Sequence, residues 1–388
     1  MRLLSLVLAS LAATVDQGEL DESPQEIPHR EQAPPLATAK PLPKEKDVLS
    51  HAVLGPDGHL TLGGDRLTID PVLQRQLTEI LVSYQTPWAA VVVLEPATGR
   101  VLAMAEHSEA APELNGLCTR ALFPAASLFK IVTASALLDA GVSPLETSCF
   151  HGGKRRVSDE LLEDSLADSR CLTLEEALGR SVNVVFAKLT ARYLDPDRLA
   201  RFAKAYKFNS AFPFSVPTDS SPAAIPSETS ELASTGAGFG DVYLSPLHAA
   251  AMVSVAANRG VWRWPVLFEK DVGGRLVDPV LEPAQADALV EMLALTVTEG
   301  TAHHFFSQPR YHFDAVGKTG SLADKRPVFR DYSWFIGFAP RGDPRVAVAA
   351  VVVNDPAWKI RAGWLGAEAL RLAMPRSSDA GVKASVNH

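Results

Sequence analysis

One stretch constrains the fold of this chain more than any other: residues 131–138, a mostly apolar segment that follows Ser127 and Lys130. A helix that is apolar on nearly every side is buried inside a domain. Residues at positions i and i+3 share one helical face, so the Ser127 hydroxyl and the Lys130 amine are expected to meet there. Burial lowers the pKa of a lysine, and a neutral amine can accept the proton of a serine hydroxyl. The stretch therefore predicts a nucleophile with its own base at the start of a buried helix.

The composition is that of a globular chain with a sizeable core. Of the 388 residues, 47% are hydrophobic and 21% are charged, which allows one large domain or two ordinary ones. The formal net charge of −8 argues against a nucleic-acid partner, because such proteins normally carry a basic patch. The basic triplet at residues 154–156 is too short to form one. We expect no nucleic-acid partner.

The three cysteines leave two possibilities open. In an oxidising compartment Cys149 and Cys171, the pair nearest in sequence, are able to form a disulfide. Three free thiols, including Cys118, are an equal alternative. The spacing does not match a redox or zinc site, and the adjacent His303 and His304 lack further ligands at metal spacing. We expect neither a cofactor nor a metal.

Shifts in composition divide the chain into four parts. Residues 1–13 carry one positive charge and a short apolar run, which predicts a signal peptide or short anchor. Residues 14–54 are rich in proline and glutamate and predict a disordered tether. A folded domain is expected over residues 55–375, followed by a disordered tail over residues 376–388. The domain is thus expected to be periplasmic or otherwise extracytoplasmic, either released after export or held at the inner membrane.

Hydrophobic periodicity predicts a mixed fold. Helices are expected over residues 70–82, 172–179, 182–192, 246–258, 283–298 and 364–374, and strands over residues 88–94, 100–105, 312–321, 332–339 and 345–353. Residues 209–230 are rich in proline, serine and threonine and predict a loop. In the sequence of the domain, predicted strands lie both before and after most of the predicted helices. We therefore predict an α/β (α+β) domain whose largely antiparallel sheet is flanked by helices, with an all-helical subdomain.

Three short motifs occur in a fixed order along this domain. They are Ser127-Leu-Phe-Lys130, Ser181-Val-Asn183 and Lys318-Thr-Gly320, the last followed by Ser321. Each motif alone is weak, and a serine and an asparagine with the same spacing recur near the C-terminus. Together, in this order and on these expected elements, they are a strong signal for one kind of active site.

The chain resembles the transpeptidase domain of the penicillin-binding proteins, within the wider class of active-site-serine penicilloyl enzymes. Further segments fit the family, among them residues 99–104, 257–260 and 334–340, so the resemblance covers residues 60–374. It implies a β-lactamase/transpeptidase-like fold. It also implies a peptidoglycan D,D-transpeptidase, a serine-type acyltransferase that crosslinks D-Ala-D-Ala stem peptides and binds β-lactam antibiotics covalently.

The resemblance assigns five catalytic residues. Ser127 attacks the carbonyl between the two D-alanines, and Lys130 is its base. Ser181 relays a proton to the leaving amine, while Asn183 binds the substrate amide and orients the lysine. Lys318 supplies a positive field. The backbone N–H groups of Ser127 and Ser321 are expected to bind the oxyanion of the tetrahedral intermediate.

The resemblance also assigns Thr319, Gly320 and Ser321 to substrate binding, with the two hydroxyls directed at the terminal carboxylate. Two positions depart from the family pattern. Ser321 stands where threonine is usual, and because the hydroxyl is kept we expect little loss. Ala126 stands where glycine is common before the nucleophile, and we expect that change to be harmless as well.

Other functions stay open at this stage. A D,D-carboxypeptidase differs only in using water as the acceptor. A β-lactamase or β-lactam sensor on the same fold is less favoured, because no deacylating glutamate follows Ser181-Val-Asn183 in the required setting and a sensor would lack the asparagine. A non-enzymatic cell-wall scaffold is the alternative from another class. The short segment before the domain predicts a stand-alone transpeptidase domain that depends on cell-wall synthesis partner proteins.

Overall fold

Long apolar runs in the sequence form one central sheet. The computed structural model describes residues 35–43, 48–153, 157–274, 277–311, 313–324, 329–355 and 357–374. The predicted signal or anchor, the first part of the tether, the basic triplet and the tail lie outside these residues. Among the described residues, no helix has both the length and the apolar character needed to cross a membrane.

The helices are α1 (Pro71–Ser83), α2 (Lys130–Asp139), α3 (Leu174–Gly179), α4 (Asn183–Tyr193), α5 (Pro196–Ala205), α6 (Thr229–Gly236), α7 (Pro246–Ala257), α8 (Pro283–Thr298), α9 (His303–Phe306) and α10 (Ala362–Ala373). The strands are β1 (Val53–Leu54), β2 (Leu60–Leu62), β3 (Asp65–Arg66), β4 (Trp88–Leu94), β5 (Val101–His107), β6 (Phe123–Pro124), β7 (Thr147–Phe150), β8 (Arg170–Thr173), β9 (Tyr243–Leu244), β10 (Val261–Arg263), β11 (Val277–Pro279), β12 (Val316–Asp324), β13 (Arg330–Ala339) and β14 (Val346–Asn354).

The central sheet has five antiparallel strands in the order β12-β13-β14-β4-β5. It separates two hydrophobic cores, because successive side chains of a strand point to opposite faces. On β4, Ala90 and Val92 belong to the larger core, which lies against the helical layer. Val91 and Val93 belong to the smaller core, which α1 and α10 cover. The fold class predicted from the sequence is therefore confirmed.

Helices α2 and α7 are buried in the core. Ser245 caps the start of α7, whose residues Pro246 to Ala256 are all buried. A helix without a polar face is stable only inside a core, and α7 contacts β4, β13 and β14. The helix predicted after Ser127 is α2, but Ser127 itself lies on a preceding 3-10 turn, Ala126–Phe129.

Some short elements were missing from the sequence prediction. One of them is the hairpin of β7 and β8, whose second strand includes the first residues of the helix predicted from residue 172. That helix begins at Leu174 instead, and Thr173 caps it. Helices α5 and α6 are also additional. The start of α5 carried a readable signal, because Asp195 caps it and Pro196 occupies its first turn.

The segment at residues 35–43, which the sequence assigns to the tether, contacts the domain. Leu36 is buried in the larger core. The backbone N–H of Leu42 donates to the Asn115 side chain at 2.8 Å. This contact joins the segment to the loop that leads towards β6 and the Ser127 turn.

One buried histidine makes the stability of the fold depend on pH. His248, on α7, lies among Phe208, Phe212 and Trp262, and its Nε2–H donates to the carbonyl of Tyr206 at 2.7 Å. Burial lowers the pKa of His248 from 6.5 to about 4. The imidazole is therefore neutral in the folded protein at physiological pH.

We expect the protein to lose stability as the pH falls from about 6.5 towards 4, because the unfolded chain then binds a proton that His248 in the folded chain does not. At pH 5 the loss from this group is about 2 kcal/mol relative to neutral pH. Urea unfolding at both pH values measures it. His248→Gln is the control, and its stability should change less between the two pH values. Equal pH dependence in the two proteins would contradict the assignment.

Candidate active site

Ser127 lies on a turn that its neighbours hold in an unusual conformation. The preceding residue, Ala126, has a φ of 51°, in the left-handed region that non-glycine residues rarely adopt. Gly238 packs directly against this turn with a φ of 95°, and a Cβ there would lie 2.7 Å from the Ala126 carbonyl oxygen. Only glycine fits at residue 238. Backbone strain of this kind is concentrated at functional sites, where the surrounding structure maintains it.

The 3-10 turn brings the predicted nucleophile and base together. Side chains at i and i+3 eclipse one another in this geometry, and the Lys130 Nζ lies 2.9 Å from the Ser127 Oγ. Lys130 is completely buried, and its Nζ also donates to the Asn183 Oδ1 at 2.6 Å. Burial, followed by the positive charge of Lys318, holds the pKa of the Lys130 amine well below its usual value. A neutral Lys130 would keep a lone pair for the serine proton.

Ser181 joins the two lysines. It lies in the turn between α3 and α4 with a φ of 55°, another left-handed conformation. Its hydroxyl accepts from the Lys318 Nζ at 2.9 Å and lies 3.4 Å from the Lys130 Nζ. Asn183, two residues on, is the first residue of α4, and this helix start aims its side chain at Lys130. The second motif thus contacts both the first and the third.

The third motif lies on the edge strand of the sheet. Lys318 is buried on β12, opposite Ile336 of β13, and its Nζ also donates to the Thr319 carbonyl at 2.9 Å. Thr319, Gly320 and Ser321 follow on the same strand and line the cavity at Ser127. A Cβ at residue 320 would lie 3.4 Å from Ala126, so the strand and the serine turn are closely packed.

Trp334 fixes the serine turn to the sheet. It pairs with Gly320 across β12 and β13, and its indole N–H donates to the Pro124 carbonyl at 2.9 Å. Thr301, at the end of the loop after α8, forms a hydrogen bond with the Thr319 hydroxyl. Each of the three motifs is therefore held by at least one neighbouring element. The structure brings all eight sequence-predicted site residues to one place.

The cavity beside Ser127 has a volume of about 570 Å³. Its lining includes residues of the β7–β8 hairpin, of β13 and of the segment before α10. Sequence reasoning missed several of the lining side chains. They are Phe150, Arg170, Phe305, Trp358 and Arg361. None belongs to a short motif, and no single-sequence signal marks them as cavity residues.

The structure decides between a disulfide and three free thiols. Cys149 and Cys171 are bridged, and they face each other in the β7–β8 pairing. Cys118 is free and buried. Among the described residues, no cluster of three or more histidine, cysteine, aspartate or glutamate side chains is arranged to hold a metal ion.

Known proteins resemble this chain in sequence and in fold. The family model of the penicillin-binding protein transpeptidase domain matches residues 89–369. The peptidoglycan D,D-transpeptidase PbpA of Mycolicibacterium smegmatis is 27% identical over 313 residues, which are 68% of this chain and 61% of that protein. The chain thus spans less than two thirds of this curated relative.

Two solved structures have the same fold. The D,D-transpeptidase domain of a peptidoglycan glycosyltransferase from Eggerthella lenta has a TM-score of 0.66 at 25% identity, covering 86% of this chain and 91% of that one. Penicillin-binding protein A from Mycobacterium tuberculosis, solved as its imipenem acyl-enzyme, has a TM-score of 0.65 at 24% identity, covering 80% and 79%. The chain belongs to the penicillin-binding protein transpeptidase domain family.

Proposed function

We propose that this protein is a peptidoglycan D,D-transpeptidase. It forms an acyl-enzyme on Ser127 with stem peptides that end in D-Ala-D-Ala, and it transfers the acyl group to an amine on a second stem. β-Lactam antibiotics acylate the same serine. The named activity of the relatives supports the reaction class.

One observation carries the proposal: a continuous set of contacts from Ser127 through Lys130 to Asn183 and through Ser181 to Lys318. It offers a proton acceptor within 2.9 Å of the nucleophile. It also offers a hydroxyl between two amines, which is a route for returning that proton to a leaving group.

Acylation follows from this arrangement. The Ser127 Oγ bonds to the carbonyl carbon of the penultimate D-alanine, and its proton moves to the Lys130 amine. The backbone N–H groups of Ser127 and Ser321 stabilise the oxyanion. The peptide C–N bond then breaks, and Ser181 passes the proton from Lys130 to the departing amine. The products are an ester on Ser127 and free D-alanine.

The edge strand β12 binds the substrate. An extended stem peptide can lie beside β12, which has a strand partner on only one side in the sheet. The hydroxyls of Thr319 and Ser321 bind the terminal carboxylate, and the charge of Lys318 draws it to that end of the cavity. The same carboxylate site accepts the acidic group of a β-lactam.

The group that takes the acyl chain from Ser127 distinguishes a transpeptidase from a carboxypeptidase. In crosslinking, an amine of a second stem attacks the carbonyl carbon of the Ser127 ester. The C–Oγ bond breaks as the new amide forms, and the amine proton passes through the Ser181–Lys130 pair to the Ser127 Oγ. A carboxypeptidase would use water at the same step. We favour the amine because the curated relatives are named as transpeptidases. We also propose an extracytoplasmic domain that acts with cell-wall synthesis partner proteins and is tethered by the part of the chain that precedes it.

The test is to incubate the full chain with a synthetic stem pentapeptide, with and without an amine acceptor, and to identify the products by mass spectrometry. We expect D-alanine release in both reactions and a crosslinked product when the acceptor is present. Release of D-alanine with a hydrolysed tetrapeptide as the main product, at saturating acceptor, would favour a carboxypeptidase. No release at all would support the scaffold.

A further inference from the structure

The loop after α8 contacts the third motif through Thr301. The Thr301 hydroxyl forms a hydrogen bond with the Thr319 hydroxyl, and both residues line the cavity beside Ser127. Thr301 belongs to none of the three motifs. This contact therefore adds a side chain to the part of the cavity where Thr319 and Ser321 lie.

The direction of this hydrogen bond decides what Thr319 can bind. A hydroxyl has one proton to donate and two lone pairs that accept, whereas an ionised carboxylate only accepts. Thr319 can thus donate to a carboxylate only when its proton points into the cavity instead of at Thr301. With a carboxylate bound, Thr301 has to be the donor in the contact between the two threonines.

The backbone at Thr301 is fixed by the end of α3. Its N–H donates to the Gly179 carbonyl at 3.2 Å. A Cβ at Gly300 would lie 2.1 Å from the same carbonyl oxygen, so the loop packs directly on Gly179. Gly179 is the last residue of α3, shortly before Ser181. Thr301 is therefore positioned against the element that leads into the second motif.

The chain after Thr301 is fixed as well. Ala302 is completely buried, and its N–H donates to the Thr296 carbonyl on α8 at 2.9 Å. Helix α8 in turn packs against β12, the strand that carries Thr319. A side chain supported in this way can orient its neighbour before any ligand binds.

We propose that Thr301 is a positioning residue, which donates to the Thr319 hydroxyl and so directs the Thr319 proton at the terminal carboxylate of the substrate. This inference rests on the proposed function, since it adds a residue to the same carboxylate site. With the carboxylate bound, two hydrogen bonds run in one direction, from Thr301 to Thr319 and from Thr319 to the carboxylate, and each strengthens the other. A ligand without the negative charge gains less from this arrangement. Thr301 thus contributes, through Thr319, to selectivity for a free carboxylate.

The experiment compares benzylpenicillin with its methyl ester, in which the carboxylate has lost its charge. Mass spectrometry of the full chain over time gives the second-order rate of acylation by each compound. Thr301→Val keeps the shape of the side chain and removes its hydroxyl. We expect it to lower the ratio of the acid rate to the ester rate about tenfold, as the loss of one hydrogen bond to a charged group would. Thr301→Ala should give the same fall, and Thr301→Ser should restore the ratio.

Thr298→Val is the matched control. Thr298 is an exposed threonine at the end of α8, and its hydroxyl donates to a carbonyl of its own helix. The control should keep the wild-type ratio of the two rates. In a Thr319→Val protein, Thr301→Val should cause no further fall in the ratio, because Thr301 acts through Thr319.

An unchanged ratio in both Thr301→Val and Thr301→Ala overturns the inference, and so does an equal fall with and without the Thr319 hydroxyl. The wild type tests the proposed function separately. If benzylpenicillin does not acylate the wild type, the proposed function fails and the inference fails with it. If the wild type is acylated and the ratio does not depend on Thr301, the inference alone fails.

Discussion

Replacing Ser127 with alanine abolishes covalent labelling by a fluorescent penicillin and the release of D-alanine from a stem peptide. Ser127 is 2% exposed and lines the cavity, and its Oγ is the atom that lies 2.9 Å from the Lys130 amine. Removal of a catalytic serine typically costs about 10⁶-fold in kcat, so we expect turnover to fall below detection.

Labelling on a denaturing gel, together with a thermal unfolding measurement, separates loss of chemistry from loss of fold. Ser83→Ala is the control, since Ser83 is an exposed serine at the end of α1, and it should be labelled like the wild type. Persistent labelling of the Ser127→Ala protein at the wild-type rate would place the nucleophile elsewhere.

The second large effect is expected for Lys130→Met. Methionine has a similar length and no charge, so it fills the buried position without the cost of a buried ion. The substitution removes the proton acceptor that lies 2.9 Å from the Ser127 Oγ, and the second-order rate of acylation falls by about 10²- to 10⁴-fold. Stopped-flow measurement with a chromogenic β-lactam gives this rate. Lys204→Met, at an exposed position on α5, should leave the rate unchanged.

The pH profile gives a sharper test of the same lysine. Lys130 acts as a base only when neutral, so the acylation rate falls as the pH drops through its pKa, which burial and Lys318 lower. Lys318→Gln removes one of these causes. The pKa of Lys130 then rises, and the acid limb of the profile moves to higher pH, whatever the loss in maximum rate. If the acid limb of the Lys318→Gln profile stays at the wild-type pH, a group other than Lys130 controls the acylation rate.

The Ser127–Lys130 pair and the fold class could be predicted because both depend on short-range pattern. Helical spacing places the serine and the lysine together, and continuous apolar runs rich in valine, such as β14, are typical of central strands. Sequence spacing alone does not bring Ser181 and Lys318 to Lys130. Their contact depends on packing between elements far apart in the chain, so only the family resemblance could anticipate it.

Other features of the site could not be predicted from the sequence, and the reasons are physical. The substitution at Ala126 was expected to be harmless, yet its φ of 51° is one that glycine adopts without strain. Strain of that kind is a property of the folded turn and leaves no mark on hydrophobic periodicity. Arg170 and Arg361 are separated by most of the domain. Their shared cavity exists only because the β7–β8 hairpin and the start of α10 face the same serine.

The most direct test of the central claim is the mass of the acyl-enzyme. The full chain is incubated briefly with a stem pentapeptide, denatured and digested, and the peptide that contains Ser127 is analysed by mass spectrometry. The account predicts a gain equal to the stem peptide minus its terminal D-alanine, located on Ser127 and lost when an amine acceptor is added before denaturation. An unmodified Ser127 peptide, with D-alanine released into solution, would contradict a serine acyl-enzyme.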